Sequence, residues 1–335
     1  MNTQFVITRE VIVAGGRYAP GHLGELTQLV PFEMVDEALA ATRTVQSRLR
    51  DLPSRVVVYL LLAGCLFPET GYPGVWRRLT AALTGIPTAD PTAAALSQAR
   101  RRIGTAPLRW LFDLLRGPAA TIRQRGTHWR GLLVCAVDGT TLTVPDSPRM
   151  STRFTKQAGN HGGTGYPQVR LLALVACGTR TIIDAVFGPT TAGETTYAPA
   201  LLRSLHAGML LLGDRNFAAK DLLDQVAATG ADFLVRCKNN RKMPALTRCC
   251  DGSYQSLLGG TPVRVVDCEI TISTAAGRHT GLYRLATTLL DPDRYPAAEL
   301  IRLYHERWEI ETAYLELKSS ILGGRMLVRV EQSRQ

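Results

Sequence analysis

The sequence predicts an α/β protein preceded by an all-α domain, and three observations lead there. Gly and Pro clusters break residues 1–130 into short stretches of helix-forming residues. Residues 131–235 alternate short apolar runs with helical ones, as strands packed against helices do. Near the C-terminus, Glu299 to Ser320 (ELIRLYHERWEIETAYLELKSS) contains no Gly or Pro and predicts one long helix. Ahead of that helix, residues 236–289 read as a β-rich insertion.

A chain of 335 residues with 45% hydrophobic content has room for two or three domains. Its longest apolar run, Val56 to Phe67, falls short of the roughly 20 residues that cross a bilayer. The start, MNTQFVITREVIVAGG, has no basic region leading into a long apolar stretch. The expectation is a cytoplasmic protein with no membrane partner. Seven cysteines, an odd number without a C-x2-C pair, read as reduced thiols, and the six scattered histidines argue against a zinc site. The net charge of +11 and a pI near 9.6 favour a polyanionic partner. Of the 39 basic residues 34 are Arg, a bias that GC-rich coding explains as well as phosphate binding does.

In the N-terminal part the Gly-rich start is expected to be disordered up to about Gly24. The predicted helices run Leu26 to Thr42, Arg43 to Asp51, Ser54 to Phe67, Val75 to Leu83, Thr92 to Ile103, Pro107 to Leu115 and Ala119 to Arg125. Asp90 or Thr92 can cap the fifth. Residues 1–130 hold 16 Arg, nine acids and no Lys. Arg100, Arg101 and Arg102 close one helix and Arg77 and Arg78 lie in another. Cations at a helix C-terminus favour its dipole, and the same surface suits DNA phosphates.

From Gly131 to Pro145 an apolar strand is interrupted by Asp138-Gly139-Thr140. An acid inside such a run is costly unless it serves a site, although Asp-Gly is also a common turn. Lys156 to Gly165 (KQAGNHGGTG) reads as a flexible connection near DNA, since it lacks the ending of a nucleotide-binding P-loop. Gln168 to Ala176 and Thr181 to Gly188 follow as an antiparallel pair. Gly193-Glu194 opens a helix through Leu205, with Glu194 as first-turn helix chemistry. Met209 to Gly213 is a buried strand ending at Asp214, a place where α/β folds commonly put a metal ligand. Lys220 to Thr229 is a helix and Asp232 to Cys237 a strand. Val263 to Ser273 and Gly281 to Leu289 are the clearest strands of the insertion, whose entrance, Lys238 to Lys242, is basic.

On the long C-terminal helix, Tyr304, Arg307, Glu311, Tyr314 and Lys318 fall within one arc of roughly 80°. Leu303, Ile310, Ala313, Leu317 and Ile321 flank it on one side, and Ile301, Trp308 and Leu315 on the other. A charged row in the middle of the face turned to the protein is unusual. It reads equally as a satisfied Arg307–Glu311 pair or as a cleft where Glu311 holds a metal and Tyr304, Arg307 and Lys318 grip phosphate.

The spacing Y-x2-R-x3-E-x6-K, carried by Tyr304, Arg307, Glu311 and Lys318, resembles the signature of bacterial insertion-sequence transposases of the DDE class, in the IS-four family. The D-R-N-F segment from Asp214 is similar to that family's second catalytic acid and the residues after it. The resemblance implies an RNase H-like catalytic core over 131–235 and 290–335, the β insertion at 236–289 and an N-terminal DNA-binding domain over 1–130. It implies Asp138, Asp214 and Glu311 as catalytic metal ligands for Mg2+, with Mn2+ as substitute, and Tyr304, Arg307 and Lys318 as DNA contacts. The implied partners are the transposon's terminal inverted repeats and target DNA, bound by a homodimer at the bacterial nucleoid, for end cleavage and strand transfer.

In such a transposase further helices are expected after Leu322-Gly323-Gly324, whereas this sequence ends at Gln335. That difference raises the expectation of a truncated copy, a non-catalytic remnant that binds transposon ends and inhibits an intact transposase. A third reading, an RNase H-like nuclease with another substrate, is disfavoured by the Y-R-E-K spacing.

Overall fold

The computed structural model describes residues 23–48, 50–67, 70–81, 88–117, 127–159, 162–274 and 277–318. They divide into two units at Leu115 and Arg116. In the first unit the described helices are α1 (Leu23–Leu29), α2 (Phe32–Ala41), α3 (Ser54–Leu66), α4 (Tyr72–Thr80), α5 (Ala93–Ile103) and α6 (Ala106–Leu115). They pack around the apolar α3, whose Val57, Val58 and Leu60 are fully buried with Val35, Val75 and Leu96.

The one helix expected from Leu26 to Thr42 is divided by Pro31, whose extended backbone (φ −58°, ψ 158°) starts α2 afresh. The helix expected from Arg43 to Asp51 does not form among the described residues. Arg43 turns into the left-handed region at φ 54°, and the hydroxyls of Thr42 and Thr44 donate to the carbonyls of Ala38 and Leu39. Thr92 is the cap of α5, its hydroxyl accepting from Ala95 N at 3.2 Å. Residues 1–22 and the segment Ala119 to Arg125 lie outside the described residues.

The second unit is built on one sheet. Its elements are β1 (His128–Trp129), β2 (Leu132–Thr143), α7 (Pro148–Arg153), β3 (Lys156–Gly159), β4 (Gly162–Ala176), β5 (Thr181–Pro189), α8 (Glu194–Tyr197), β6 (Met209–Gly213), α9 (Lys220–Ala228), β7 (Asp232–Cys237), β8 (Thr247–Arg248), β9 (Tyr254–Leu258), β10 (Thr261–Thr274), β11 (Gly277–Thr287), α10 (Ala297–His305) and α11 (Glu309–Glu316). The strand order is β3-β4-β2-β6-β7-β11-β10-β9-β8, with β5 also on β4. β2, β4 and β5 are antiparallel neighbours, whereas β6 runs parallel to β2 and β7 parallel to β6.

Side chains alternate across β2 as the pleat requires. Leu133, Cys135 and Val137 join the core under α9, while Val134 and Ala136 join the core under α10 and α11. Counting on by two puts Asp138 on the α10/α11 face, and from Leu210 and Leu212 the same count carries Asp214 there. The break expected at Asp138-Gly139-Thr140 is absent, since β2 runs straight through and pairs these residues with Ala173, Leu172 and Leu171 of β4. The Asp-Gly turn reading is thereby excluded.

Other expectations need amendment. Lys156 to Gly165 contributes to the β3–β4 pairing, with a register shift at Lys156/Gln157, where a loop was expected. The helix opened by Glu194 gives way after Tyr197 to a 3-10 helix from Ala198 to Ser204, where Pro199 has no N–H to offer an α-helix. The long C-terminal helix is interrupted by a 3-10 turn, Glu306–Trp308, between α10 and α11. Trp308 and Leu315, expected as one apolar flank of its buried face, are 44% and 63% exposed. The insertion's strands extend the main sheet, because β11 pairs with β7 from Leu234 to Cys237.

One fully buried carboxylate pins this unit together. Asp184 on β5 accepts from Arg203 Nε at 2.8 Å, Arg203 Nη2 at 2.9 Å, Ser204 Oγ at 2.6 Å, Arg116 Nη1 at 3.0 Å and Ala185 N at 2.8 Å. Burial works to raise its pKa, but the hydrogen bonds and the Arg116 charge outweigh burial and hold it below the ordinary carboxylate value. A depressed folded pKa contributes stability that is present above the unfolded value of about 4 and is lost as pH falls through the folded one. Asp184→Ala removes the buried carboxylate that accepts from Arg116, Arg203 and Ser204 and is expected to cost about 3–5 kcal/mol at pH 7 in urea unfolding. That deficit should shrink as the pH is lowered towards 3, and a constant deficit would count against a charged Asp184.

Candidate active site

Parallel pairing sets the two aspartates side by side. β2 and β6 are in register from Leu133↔Met209 to Ala136↔Leu212, and β6 ends at Gly213 while β2 continues. Asp138 therefore lies on β2 just past the end of its parallel neighbour, and Asp214 on the first residue after that neighbour. Asp214 makes an Asx turn, its Oδ1 accepting from Asn216 N at 2.7 Å, which opens the loop into α9. Asp138 Oδ1 accepts from Gly139 N at 2.9 Å.

The third acid comes from α11, and a guanidinium joins it to the first. Arg307 Nη1 lies 3.7 Å from Asp138 Oδ2 and its Nη2 lies 3.5 Å from Glu311 Oε1, the side chains being 12%, 20% and 45% exposed for Arg307, Asp138 and Glu311. The Arg307–Glu311 pair expected at i, i+4 thus exists, and it extends to Asp138. Two tyrosines fix the helix to the strand ends. Tyr304, buried on α10, donates to the Gly213 carbonyl at 3.3 Å. Tyr314 donates to the Asp138 carbonyl and accepts from Ala173 N at 3.2 Å. Lys318 donates to Thr140 Oγ1. Tyr304, Arg307 and Lys318 therefore meet β2 or the end of β6, and Glu311 joins them through Arg307.

Burial, ahead of every other influence, pushes the Asp138 carboxyl up to about 6. The Gly139 N–H and the Arg307 charge pull it down, and the charges of Asp214 and Glu194 push it up further. Tyr304 is pushed up to about 12, chiefly by burial, so it stays a neutral donor.

Such an all-oxygen donor set, Asp138, Asp214 and Glu311, suits a hard divalent cation. Among the described residues no three acids already stand close enough to share one ion. The Arg307 guanidinium lies between Asp138 and Glu311 instead.

A cleft of about 730 Å3 is lined by Arg170, Glu194, Arg215, Asn216, Lys238 and Arg241 among others, and by none of Asp138, Asp214 and Glu311. Arg215 and Asn216 follow Asp214 directly, and Lys238 and Arg241 come from the basic entrance to the insertion. Sequence reasoning missed three participants. Tyr314 was visible only as a member of the arc, Thr140 as part of a supposed turn, and Glu194 as a first-turn helix residue.

The three Arg of α5 lie in the other unit. Arg100 stacks over the Tyr72 ring at 5.0 Å and donates to its hydroxyl at 3.2 Å, and Arg102 donates to the Leu52 carbonyl at 3.0 Å. Both are engaged within their own unit, and Arg101 is exposed.

Residues 129–334 match the transposase DDE domain, which makes the class that of the DDE transposases. Residues 20–113 match the insertion element 4 transposase N-terminal domain, and the chain belongs to the IS4 family of that class. It is similar to the transposase InsG for insertion sequence element IS4 of Escherichia coli K12, 25% identical over 312 residues that cover 89% of this chain and 69% of InsG. It is also similar to the candidate transposase InsZ of the same organism, 29% identical over 196 residues that cover 58% of this chain and 64% of InsZ. DDE transposase domains generally depend on a divalent metal. No helix among the described residues is long and apolar enough to cross a membrane.

Asp138 is an acid whose ionised form the fold opposes. Its folded pKa lies above the unfolded value, so stability falls as pH rises from about 4 to about 6 and stays low above that. Asp138→Asn is therefore expected to stabilise the metal-free protein at pH 7 by about 1–3 kcal/mol in denaturant titration. A destabilised variant would mean that the pairing with Arg307 outweighs the cost of burial.

Proposed function

We propose that this protein cleaves DNA at the ends of an insertion element and transfers the freed strand into target DNA, with Asp138, Asp214 and Glu311 holding the divalent metal. The reading is carried by the charged row Asp138, Arg307 and Glu311 where β2 runs past the end of the parallel β6, with Asp214 on the residue after that end. It is supported by the DDE domain match. The strand order β5-β4-β2-β6-β7, three antiparallel strands followed by two parallel ones, supports an RNase H-like core.

Mg2+, with Mn2+ as substitute, is the proposed metal, and it would lower the pKa of the attacking water or 3′-hydroxyl and stabilise the leaving oxygen. The chain's own residues do the positioning. Tyr304 and Tyr314 anchor the helix that carries Glu311 against the strands that carry the aspartates. Arg307 balances the acids in the metal-free protein, and its guanidinium is then available to a DNA phosphate. Lys318, next to Thr140, and the cleft cations Arg215, Lys238 and Arg241 line a path for the phosphate backbone. The N-terminal residues 1–130, with Arg101 exposed on α5, are proposed to contact the transposon end. Because two ends must be cut and joined together, the active form is proposed to be a homodimer on DNA.

The test is cleavage of a labelled duplex carrying the element's own end, with and without Mg2+. Metal-dependent nicking at the end is expected. Asp138→Ala, Asp214→Ala and Glu311→Ala should each abolish the cut while gel-shift binding of the end largely survives. Equal loss of binding in all three would remove the metal-site assignment. In the same binding assay Arg307→Ala and Lys318→Ala should each weaken end binding and each lower the salt slope by about one.

A further inference from the structure

The helix α10 has no cap of its own. It follows Pro296, whose side chain accepts nothing, so its first N–H groups must find partners elsewhere. Ala297 N finds one in the insertion, donating to Asp251 Oδ2 at 2.9 Å from 46 residues away. Asp251 lies in the turn between β8 and β9, and its Oδ1 accepts from Ser253 N at 3.2 Å and from the Ser253 hydroxyl. Burial works to raise the Asp251 carboxyl, but the hydrogen bonds from Ser253 and Ala297 outweigh it and hold the carboxyl below its ordinary value. The carboxylate so maintained also favours the dipole of α10.

A second residue of the insertion grips the same entry. Arg264 on β10 has no exposed surface, and its Nη2 donates to the Tyr295 carbonyl, just ahead of α10. Its Nη1 lies 3.9 Å from Asp251 Oδ2, and Nε and Nη1 have no hydrogen-bond partner among the described residues. An arginine buried in this way is a costly filler of a core, where Met or Leu would pack without desolvating a charge. What it contributes is a fixed place for residues 295–297. The path from Ala297 to Glu311 is about 21 Å at 1.5 Å per helical residue, so a tilt of about 3° at the entry moves the far end by about 1 Å. A displacement of that size can slow a reaction about 100-fold.

We propose that Asp251 is a positioning residue for the metal site. With Arg264 it seats the N-terminus of α10, and through α10 it sets where Tyr304 meets Gly213 and where Glu311 stands relative to the aspartates. The inference rests on the divalent-metal reading above and gives the insertion a part in it.

The experiment is single-turnover cleavage of the element's end by the full chain at saturating DNA, with the Mg2+ concentration varied to find the half-maximal rate. Wild type, Asp251→Asn, Arg264→Met and Asp184→Ala are compared, each with its metal-free unfolding midpoint. An Asn has one side-chain oxygen where Asp251 uses two, so it can keep the Ser253 turn but not the cap of α10 as well. Asp251→Asn is expected to raise the half-saturating Mg2+ concentration about 10-fold and to lower the saturated rate, with gel-shift binding of the end unchanged. Arg264→Met should shift the half-saturation in the same direction. Asp184→Ala, weakened elsewhere in the unit, should lower the amount of active protein and leave the half-saturation at its wild-type value. An unchanged half-saturation in Asp251→Asn, or an equal shift in Asp184→Ala, overturns the proposal and leaves Asp251 a part of the fold alone. If the wild type makes no metal-dependent cut, the metal-site reading fails and the proposal with it. Should Asp251→Asn not fold, Arg264→Met decides the matter by the same measure.

Discussion

A short parallel ladder between β2 and β6 is the constraint on which the candidate site depends. Its register, Leu133↔Met209 through Ala136↔Leu212, brings Asp138 and Asp214 to one end of the sheet and onto one face. Because β6 stops at Gly213, Asp138 lies where β2 has lost its parallel neighbour. β4 continues to pair with β2 on the other side through Thr143, so the backbone that carries Asp138 stays rigid. An acid can therefore sit inside a buried strand without an irregular backbone.

Around that ladder the acids are held by cations and tyrosines. Arg307 reaches Asp138 and Glu311, Arg170 reaches Glu194, and the tyrosine hydroxyls satisfy the carbonyls of Asp138 and Gly213. These contacts divide into two kinds. The tyrosines are neutral donors that lock α10 and α11 to the strands, and they keep that role in any ionic state of the site. The arginines are exchangeable partners whose strength depends on what else occupies the acids.

Much of this was legible in the sequence. The strands Met209–Gly213 and Asp232–Cys237 have the bounds their apolar runs suggest, and the Y-R-E-K spacing singled out side chains that the fold brings to one place. Local sequence could not show which strand neighbours which, so Asp138-Gly139-Thr140 read as an interruption when it is the stretch where one partner ends and the other carries on. Pattern reading also assumed a constant helical phase from Glu299 to Ser320. The 3-10 turn at Glu306–Trp308 breaks that phase and leaves Trp308 and Leu315 exposed. Glu194 read as a first-turn helix acid because its pair with Arg170 of β4 is a contact that no spacing along the chain encodes. In the N-terminal unit, Arg100 and Arg102 resembled a phosphate-binding cluster, and only the positions of Tyr72 and Leu52 reveal their internal partners.

The junction of β7 with β11 has a bearing on handling the protein as well as on its form. Were residues 236–289 cut away to isolate a minimal core, the β7 edge would be bared beside Phe233, Leu234 and Val235, none of which has any exposed surface. A flat apolar edge of that kind is a template for strand addition by other molecules and leads to aggregation. The inserted strands carry the end of the sheet outward to β8, which is only Thr247–Arg248, exposed and charged. By pairing β11 along Leu234 to Cys237, the insertion also keeps that apolar border from adding strands of other molecules.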